Sequence, residues 1–495
     1  MEKEMKSKLA LLIIVVAFAF TGCTQINHGA NLNKVSSDEA KTELLYNNFI
    51  EGQSPNIAQL NLFLTEMPKG GDIHHHFSGS IYVETYLDWA KANSQLIDTE
   101  TLKISEDKTK TLLTVDALRS NAELYRRLLT LWSDKDYSNH YQLQLPPDAN
   151  FFNTFGYFGY VSQSYEKGML VFKKRAIKEN VSYIETMIKS VGYSYPDPIF
   201  DTNVRTYSDN EELFSLLDEQ SSKIDGDNTF TEKTNDFTTG IKTAHENANV
   251  DDEQFMMRYQ TYTSRNSVPS KVFSALYAAF QAADQSELIV GVNLVGPENG
   301  VVAIEDYELH MQFFSYLRKK YPEVNVALHA GELTLGMVRP KNLTFHVDQA
   351  VNIAGAQRIG HGVDLPYEED AIDLLRAIKE KAVVEINFTS NEFILGVKGQ
   401  EHPYLIYSAY GVPIVICTDD SGVSRNNLSH EYVLLATRYK PSYQTIKQYA
   451  FNSIKYSFLP NKEREKTIIS LTNRFKKFES EMAIYSDQIL KGSVN

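Results

Sequence analysis

The run Asp72-Ile73-His74-His75-His76-Phe77-Ser78-Gly79-Ser80 (DIHHHFSGS) puts three of the chain's 12 histidines side by side. Its reading decides the fold. Taken as a strand over Asp72–His76, it sends His74 and His76 to one face and His75 to the other, because side chains alternate along a pleated chain. It then becomes the first of eight short apolar or β-branched runs. The others are Val181–Thr186, Phe255–Tyr259, Leu288–Val295, Val324–His329, Gln357–His361, Ala382–Asn387 and Val412–Thr418. Longer stretches of helical character separate them, such as 304–320 and 368–379. Alternation of this kind marks parallel βα units, and eight of them predict an α/β fold, a closed (β/α)8 TIM-type barrel.

Outside that frame lie two insertions, at about 91–147 and 208–249. The second is rich in Asp, Glu, Thr, Ser and Asn and reads as an exposed, mobile excursion. The tail 429–495 reads as extra C-terminal helices.

At the other end, Lys3, Lys6 and Lys8 precede the apolar run Leu9–Phe20, which meets Thr21-Gly22-Cys23. That is the pattern of a signal peptide over 1–22, and the run is too short to span a bilayer comfortably. Phe-Thr-Gly-Cys resembles the lipobox of bacterial lipoproteins, with Cys23 as the lipidated residue. The expected organisation is therefore a signal peptide (1–22), a lipidated tether and N-terminal segment (23–60), and a barrel (61–495). The expected location is the bacterial cell envelope, extracytoplasmic and held to the membrane by lipid on Cys23. Cys417 is the only other cysteine, so lipid on Cys23 leaves no intramolecular disulfide. A net charge of −14 without a Lys/Arg run beyond the leader argues against nucleic acid as a partner and for a small ligand.

Ionisable residues recur at the C-terminal ends of the predicted strands: His74 and His76, then His329-Ala330-Gly331-Glu332, Gly360-His361-Gly362 and Thr418-Asp419-Asp420-Ser421. Barrel active sites are assembled at that rim. Three imidazoles and a carboxylate suit a borderline, redox-silent ion such as Zn2+, with room left for water. Such an ion lowers the pKa of bound water to about 7, and hydrolysis is the natural output.

These motifs, in this order, resemble the adenosine deaminase family of metal-dependent amidohydrolases. Met67-Pro68-Lys69-Gly70-Gly71-Asp72 is similar to the lead-in of its secreted, growth-factor-related branch, and Leu294-Val295-Gly296-Pro297-Glu298 resembles its fourth-strand substrate loop. The resemblance implies one zinc held by His74, His76, His329 and Asp419. It makes Glu332 the proton donor to purine N1 as hydroxide attacks C6. His361 would orient the water and take part in proton transfer, and Asp420 would accept a hydrogen bond from purine or water. Gly296, Ser78, His76 and Asp420 would contact the substrate. Adenosine or 2′-deoxyadenosine would leave as inosine or 2′-deoxyinosine plus ammonia, in purine nucleoside salvage outside the cytoplasm.

The pattern departs after the second metal histidine. The family typically carries Leu-Asp-Gly there, with the aspartate on the ribose 5′-hydroxyl, whereas this chain has Phe77-Ser78-Gly79. Ser78 lacks the charge and reach of aspartate. Two other readings compete: a zinc amidohydrolase acting on another 6-substituted purine or amine, and a surface lipoprotein that binds nucleosides or a receptor without turnover. Further expectations are His75 packed behind its strand or bonding a carbonyl, Cys417 in the barrel wall, and a helix over Phe151–Phe158 whose apolar face either covers the substrate mouth or packs into the core.

Overall fold

The computed structural model describes residues 36–137, 145–161 and 164–492. Eight parallel strands form one sheet in chain order: β1 (Gly70–His76), β2 (Val181–Lys189), β3 (Met256–Ser264), β4 (Ile289–Val295), β5 (Asn325–Ala330), β6 (Arg358–His361), β7 (Val383–Ile386) and β8 (Ile414–Ile416). The sheet curls until its edges meet. At that seam a parallel bridge joins His75 to Asp419, and the Asp419 amide donates to the His74 carbonyl at 2.9 Å. The (β/α)8 barrel read from the sequence is the observed fold.

Strands covered on both faces are largely apolar: β8 is apolar throughout and wholly buried, and β7 is wholly buried with Glu385 as its one charged residue. The helices dock by an apolar stripe. In the helix Pro269–Asp284, proline opens the first turn, where its missing N–H costs nothing. Val272, Phe273, Leu276, Tyr277 and Phe280 then line one buried face against β3 and β4. The helix expected over 304–320 is split into Val301–Glu305 and Tyr307–Lys320. The break falls at Asp306, whose carboxylate binds Arg205.

The stretch 208–249, expected to be a mobile excursion, is two helices, Asn210–Asp225 and Asn228–Asn247. Its acidic residues do structural work: Asp209 and Asp227 cap the two N-termini, accepting from Glu211 and Glu212 amides and from the Thr229 amide. Leu213, Leu217 and Ile224 form the buried stripe that the polar composition hid. The insertion after β1 holds a two-residue ribbon, Ile97–Asp98 with Leu112–Leu113, and the helices Val115–Ser120 and Ala122–Leu131. The C-terminal tail is helical, as expected. Residues 1–22 and Cys23 lie outside the described residues. Among the described residues no helix is long and apolar enough to cross a membrane.

The barrel floor is sealed by the helix Tyr443–Lys455. Its Ser453 hydroxyl accepts from the Gly71 amide at 2.7 Å, and Asn452 donates to the Ile414 carbonyl at 2.9 Å. Gly70 enters this junction at φ +68°, and a Cβ there would lie 2.3 Å from the Ala450 carbonyl oxygen. Gly70→Ala is expected to lower the unfolding free energy by about 2–4 kcal/mol in urea titration. Gly399→Ala, at φ +55° with nothing within 4 Å of its Cβ, is expected to cost only about 1 kcal/mol. Equal losses would show that close approach to Ala450 does not matter.

Candidate active site

All the ionisable residues singled out in the sequence meet at the C-terminal rim. His74 and His76 leave β1 on its inner face. His329 sits near the end of β5, Glu332 follows it, His361 ends β6, and Asp419 and Asp420 follow β8. His75 points the other way: its Nδ1 lies 2.9 Å from the Thr186 hydroxyl and its ring packs edge-on against Phe172. Cys417 is buried in the wall.

His74, His76, His329 and Asp419 bring one ligand atom each within 4.8 Å of one another. A tetrahedral ion with ligand bonds of about 2.0–2.1 Å needs ligand atoms about 3.3 Å apart. The His76 and His329 Nε2 atoms are 3.1 Å apart, and Asp419 Oδ1 lies 3.2 Å from His76 Nε2 and 3.5 Å from His74 Nε2. His74 Nε2 is buried, with the Asp419 carboxylate too far off to make a well-formed hydrogen bond. These four residues fit a metal ion.

Charge points the same way. Burial opposes protonation of His74, but its bonds to Asp419 and Glu385 outweigh it and lift the imidazole to about 10. Burial likewise pushes the Asp419 carboxyl up, yet the bonds to His74 and His76 hold it well below the usual range. A site that pulls a proton onto a buried imidazole is one that calls for a cation.

Beside the cluster, His361 Nε2 stands 3.7 Å from Glu332 Oε1 and 3.8 Å from Asp419 Oδ2. Burial holds His361 down at about 4. Burial, with the charges of Asp419 and Glu298 behind it, pushes the Glu332 carboxyl well above its ordinary value. Burial thus favours the proton on Glu332 and disfavours it on His361, two side chains that stand next to each other beside the candidate ligands. Burial also raises Asp420, to about 8. The Asp420 carboxylate lies against Gly79, where a Cβ would fall 1.5 Å from Oδ1, so only glycine fits there. His361 and Asp419 are both held in the left-handed region, at φ +78° and +59°, a strain of about 1–3 kcal/mol each that the surrounding structure enforces.

A cavity of about 320 Å3 opens onto these groups, lined also by Ser78, Gly296, Tyr262 and by Phe151, Phe152 and Phe155 of the helix Pro147–Phe158. Gly296 adopts φ +97° at the turn after β4. Glu298, two residues on, accepts from the Gly331 and Glu332 amides at 3.2 and 2.8 Å and lies 2.6 Å from His346 Nδ1. It fixes the turn that carries Glu332.

The sequence reading missed what holds the ligands. His74 Nδ1 donates to Glu385 at 2.7 Å, and Glu385 pairs with Arg358 at 2.7 Å. Arg358 pairs with Glu185, also at 2.7 Å, and Glu185 accepts from Gln260 at 2.9 Å. Gln260 accepts from Asn293 at 3.0 Å, and Asn293 accepts from His329 Nδ1 at 2.9 Å. This buried chain crosses the barrel interior and ends on a ligand histidine at both ends. Each Nδ1 thus carries the proton and each Nε2 keeps its lone pair for the ion. The signal was present: Glu185 and Glu385 are the lone acids inside the β-branched and apolar strand runs 181–186 and 382–387.

Fold and cluster together define an α/β barrel with a metal-binding constellation at its catalytic rim. The family model described as "Adenosine deaminase" matches residues 223–473, and the chain belongs to the adenosine deaminase family. An adenosine deaminase of Clostridium perfringens is 32% identical over 192 residues, which are 37% of this chain and 53% of that protein. The chain spans about half the length of the curated relatives it matches. Among solved structures, an adenine deaminase from Arthrobacter aurescens superposes with TM-score 0.54 at 16% identity, over 83% of this chain and 99% of that one. An amidohydrolase from Burkholderia ambifaria with bound Zn gives TM-score 0.52 at 15% identity, over 86% and 94%. At such identities these likenesses speak for the barrel.

Replacing Glu385 by glutamine keeps an acceptor for His74 but removes the charge. The expected result is metal affinity weakened about 10-fold or more in a chelator competition. Unchanged affinity would show that the buried chain does not tune the ligands.

Proposed function

We propose that the protein is a zinc-dependent hydrolytic deaminase of 6-aminopurine nucleosides, converting adenosine and 2′-deoxyadenosine to inosine and 2′-deoxyinosine with release of ammonia. One observation carries this reading: the Glu332 carboxyl and the His361 imidazole stand 3.7 Å apart beside a cluster of four residues that fits a metal ion. A binding protein has no need of a matched acid and base next to its metal. Family membership and the similarity to adenosine deaminases support the choice of substrate.

Zinc in the cluster would supply a water of lowered pKa as nucleophile. The remaining roles fall to this chain's own side chains. Glu332 donates its proton to purine N1, which makes C6 a better electrophile. His361, neutral at the reaction pH, accepts a proton as water adds to C6. Its Nδ1 lies 2.8 Å from the Asn391 side-chain amide, which orients the ring. Asp420, whose Oδ1 is buried without a partner, orients purine or water by a hydrogen bond. Glu298 keeps Glu332 aimed by holding its amide.

The leader supports a place for this activity. Lipid on Cys23 would anchor the enzyme outside the cytoplasm, where nucleosides are met before uptake, as in salvage.

Purified protein loaded with zinc is expected to release ammonia from adenosine, and no turnover of any aminopurine nucleoside would defeat the proposal. Glu332→Gln should lower kcat by about 10²–10⁴-fold with zinc content unchanged. Asp419→Ala should lose zinc, measured by metal analysis, and full retention would remove Asp419 from the ligand set. For the anchor, Cys23→Ser is expected to move the protein from the membrane to the soluble fraction. A variant that stays with membranes would place the anchor elsewhere.

A further inference from the structure

C6 and N9 lie at opposite ends of a purine. A ring whose C6 faces Glu332 and His361 must therefore send its N9 substituent away from the strand ends, toward the helix Pro147–Phe158 that roofs the cavity. That roof is apolar. Phe151, Phe152 and Phe155 line it, with ring centroids 5.2 Å (Phe151–Phe152) and 5.8 Å (Phe151–Phe155) apart in edge-to-face contact. The helix is pinned over the mouth by Asp148, which accepts from Asn299 at 3.1 Å, and by Asn150, which donates to Asp134 at 3.2 Å. Val295 and Pro297 continue the apolar wall.

Polar partners at this end are few. Among the described lining residues, only Ser78 and Tyr262 bring side-chain hydroxyls, and none is a lysine or arginine. Tyr262 apart, every ionisable residue of the described lining belongs to the acid and imidazole group at the strand ends. A phosphate on the sugar would meet aromatic rings and, among the described lining residues, no lysine or arginine to pair with it. A free 5′-hydroxyl under the phenylalanines would lose water and could regain hydrogen bonds only from Ser78 or Tyr262, neither of which carries the charge of an aspartate.

Resting on the deaminase reading above, we propose that the site selects 6-aminopurine nucleosides whose sugar end is uncharged and apolar. The chemical class is the 5′-deoxy and 5′-alkylthio nucleosides, and Phe155 is a specificity-determining residue. The reaction is unchanged: water adds to C6, the C6–N bond breaks, and ammonia leaves.

The test is a comparison of kcat/KM on the zinc-loaded full chain for adenosine, 5′-deoxyadenosine, 5′-methylthioadenosine and AMP. The two apolar nucleosides are expected to equal or exceed adenosine, with AMP at least about 100-fold below it. Adenosine preferred over 5′-deoxyadenosine by more than about 10-fold would overturn this inference and leave the deaminase reading intact. Failure of all four would overturn the deaminase reading itself. Phe155→Lys places a cation in the roof and should raise kcat/KM for AMP by about 10-fold or more while lowering it for 5′-methylthioadenosine. Phe155→Ser should move the ratio toward adenosine. If neither variant shifts these ratios, Phe155 does not set specificity.

Discussion

His74 donates from Nδ1 to Glu385 across 2.7 Å of fully buried barrel interior, and the rest of the rim depends on that contact. A carboxylate there brings a charge into a place without water, so it must be matched. Arg358 matches it, but Arg358 is itself buried and needs Glu185 as well. Removing one member of such a set leaves another stranded, at a cost of about 3–5 kcal/mol. Glu185 also accepts from the Tyr183 hydroxyl and the Phe458 amide, and the Phe458 ring lies 4.0 Å from the Arg358 guanidinium. The segment that follows the floor helix is thus tied to the same chain of charges that holds the ligands at the rim.

Two glutamates show how environment divides roles. Burial alone would raise both. Glu298 receives His346, Arg265 and two backbone amides, which bring its carboxyl down to about 2. Glu332 receives no such set and faces the negative Asp419 and Glu298 instead. One acid stays ionised and holds backbone, while the other keeps a proton to give. The ionised state of Glu298 is itself part of what keeps Glu332 protonated.

The barrel was legible because its strands are apolar runs at intervals long enough for helices, and the rim residues because strand ends are where histidines and acids have no structural reason to gather. The positions of His74, His76, His329, Glu332, His361, Asp419 and Asp420 could be read from one dimension. The chain of supporting contacts could not. Glu185, Gln260 and Asn293 lie 75 and 33 residues apart in sequence, and only the register of neighbouring strands brings them together. The helices at 208–249 escaped for another reason: their capping aspartates and solvent-facing polar residues outnumber the few leucines and isoleucines that bury them. At the break, Asp306 pairs with Arg205, a partner 101 residues away that the local sequence does not point to.

The barrel seam adds a temporal order. The residues that fit the ion run from His74 to Asp419, and Asp419 is also the residue that bridges the last strand to the first. A chain emerging from a ribosome therefore carries its first two imidazoles for some 340 residues before the carboxylate arrives. Closing the ring and completing the ligand set therefore rest on the same residue, and a change at Asp419 touches the barrel seam and the candidate metal site together.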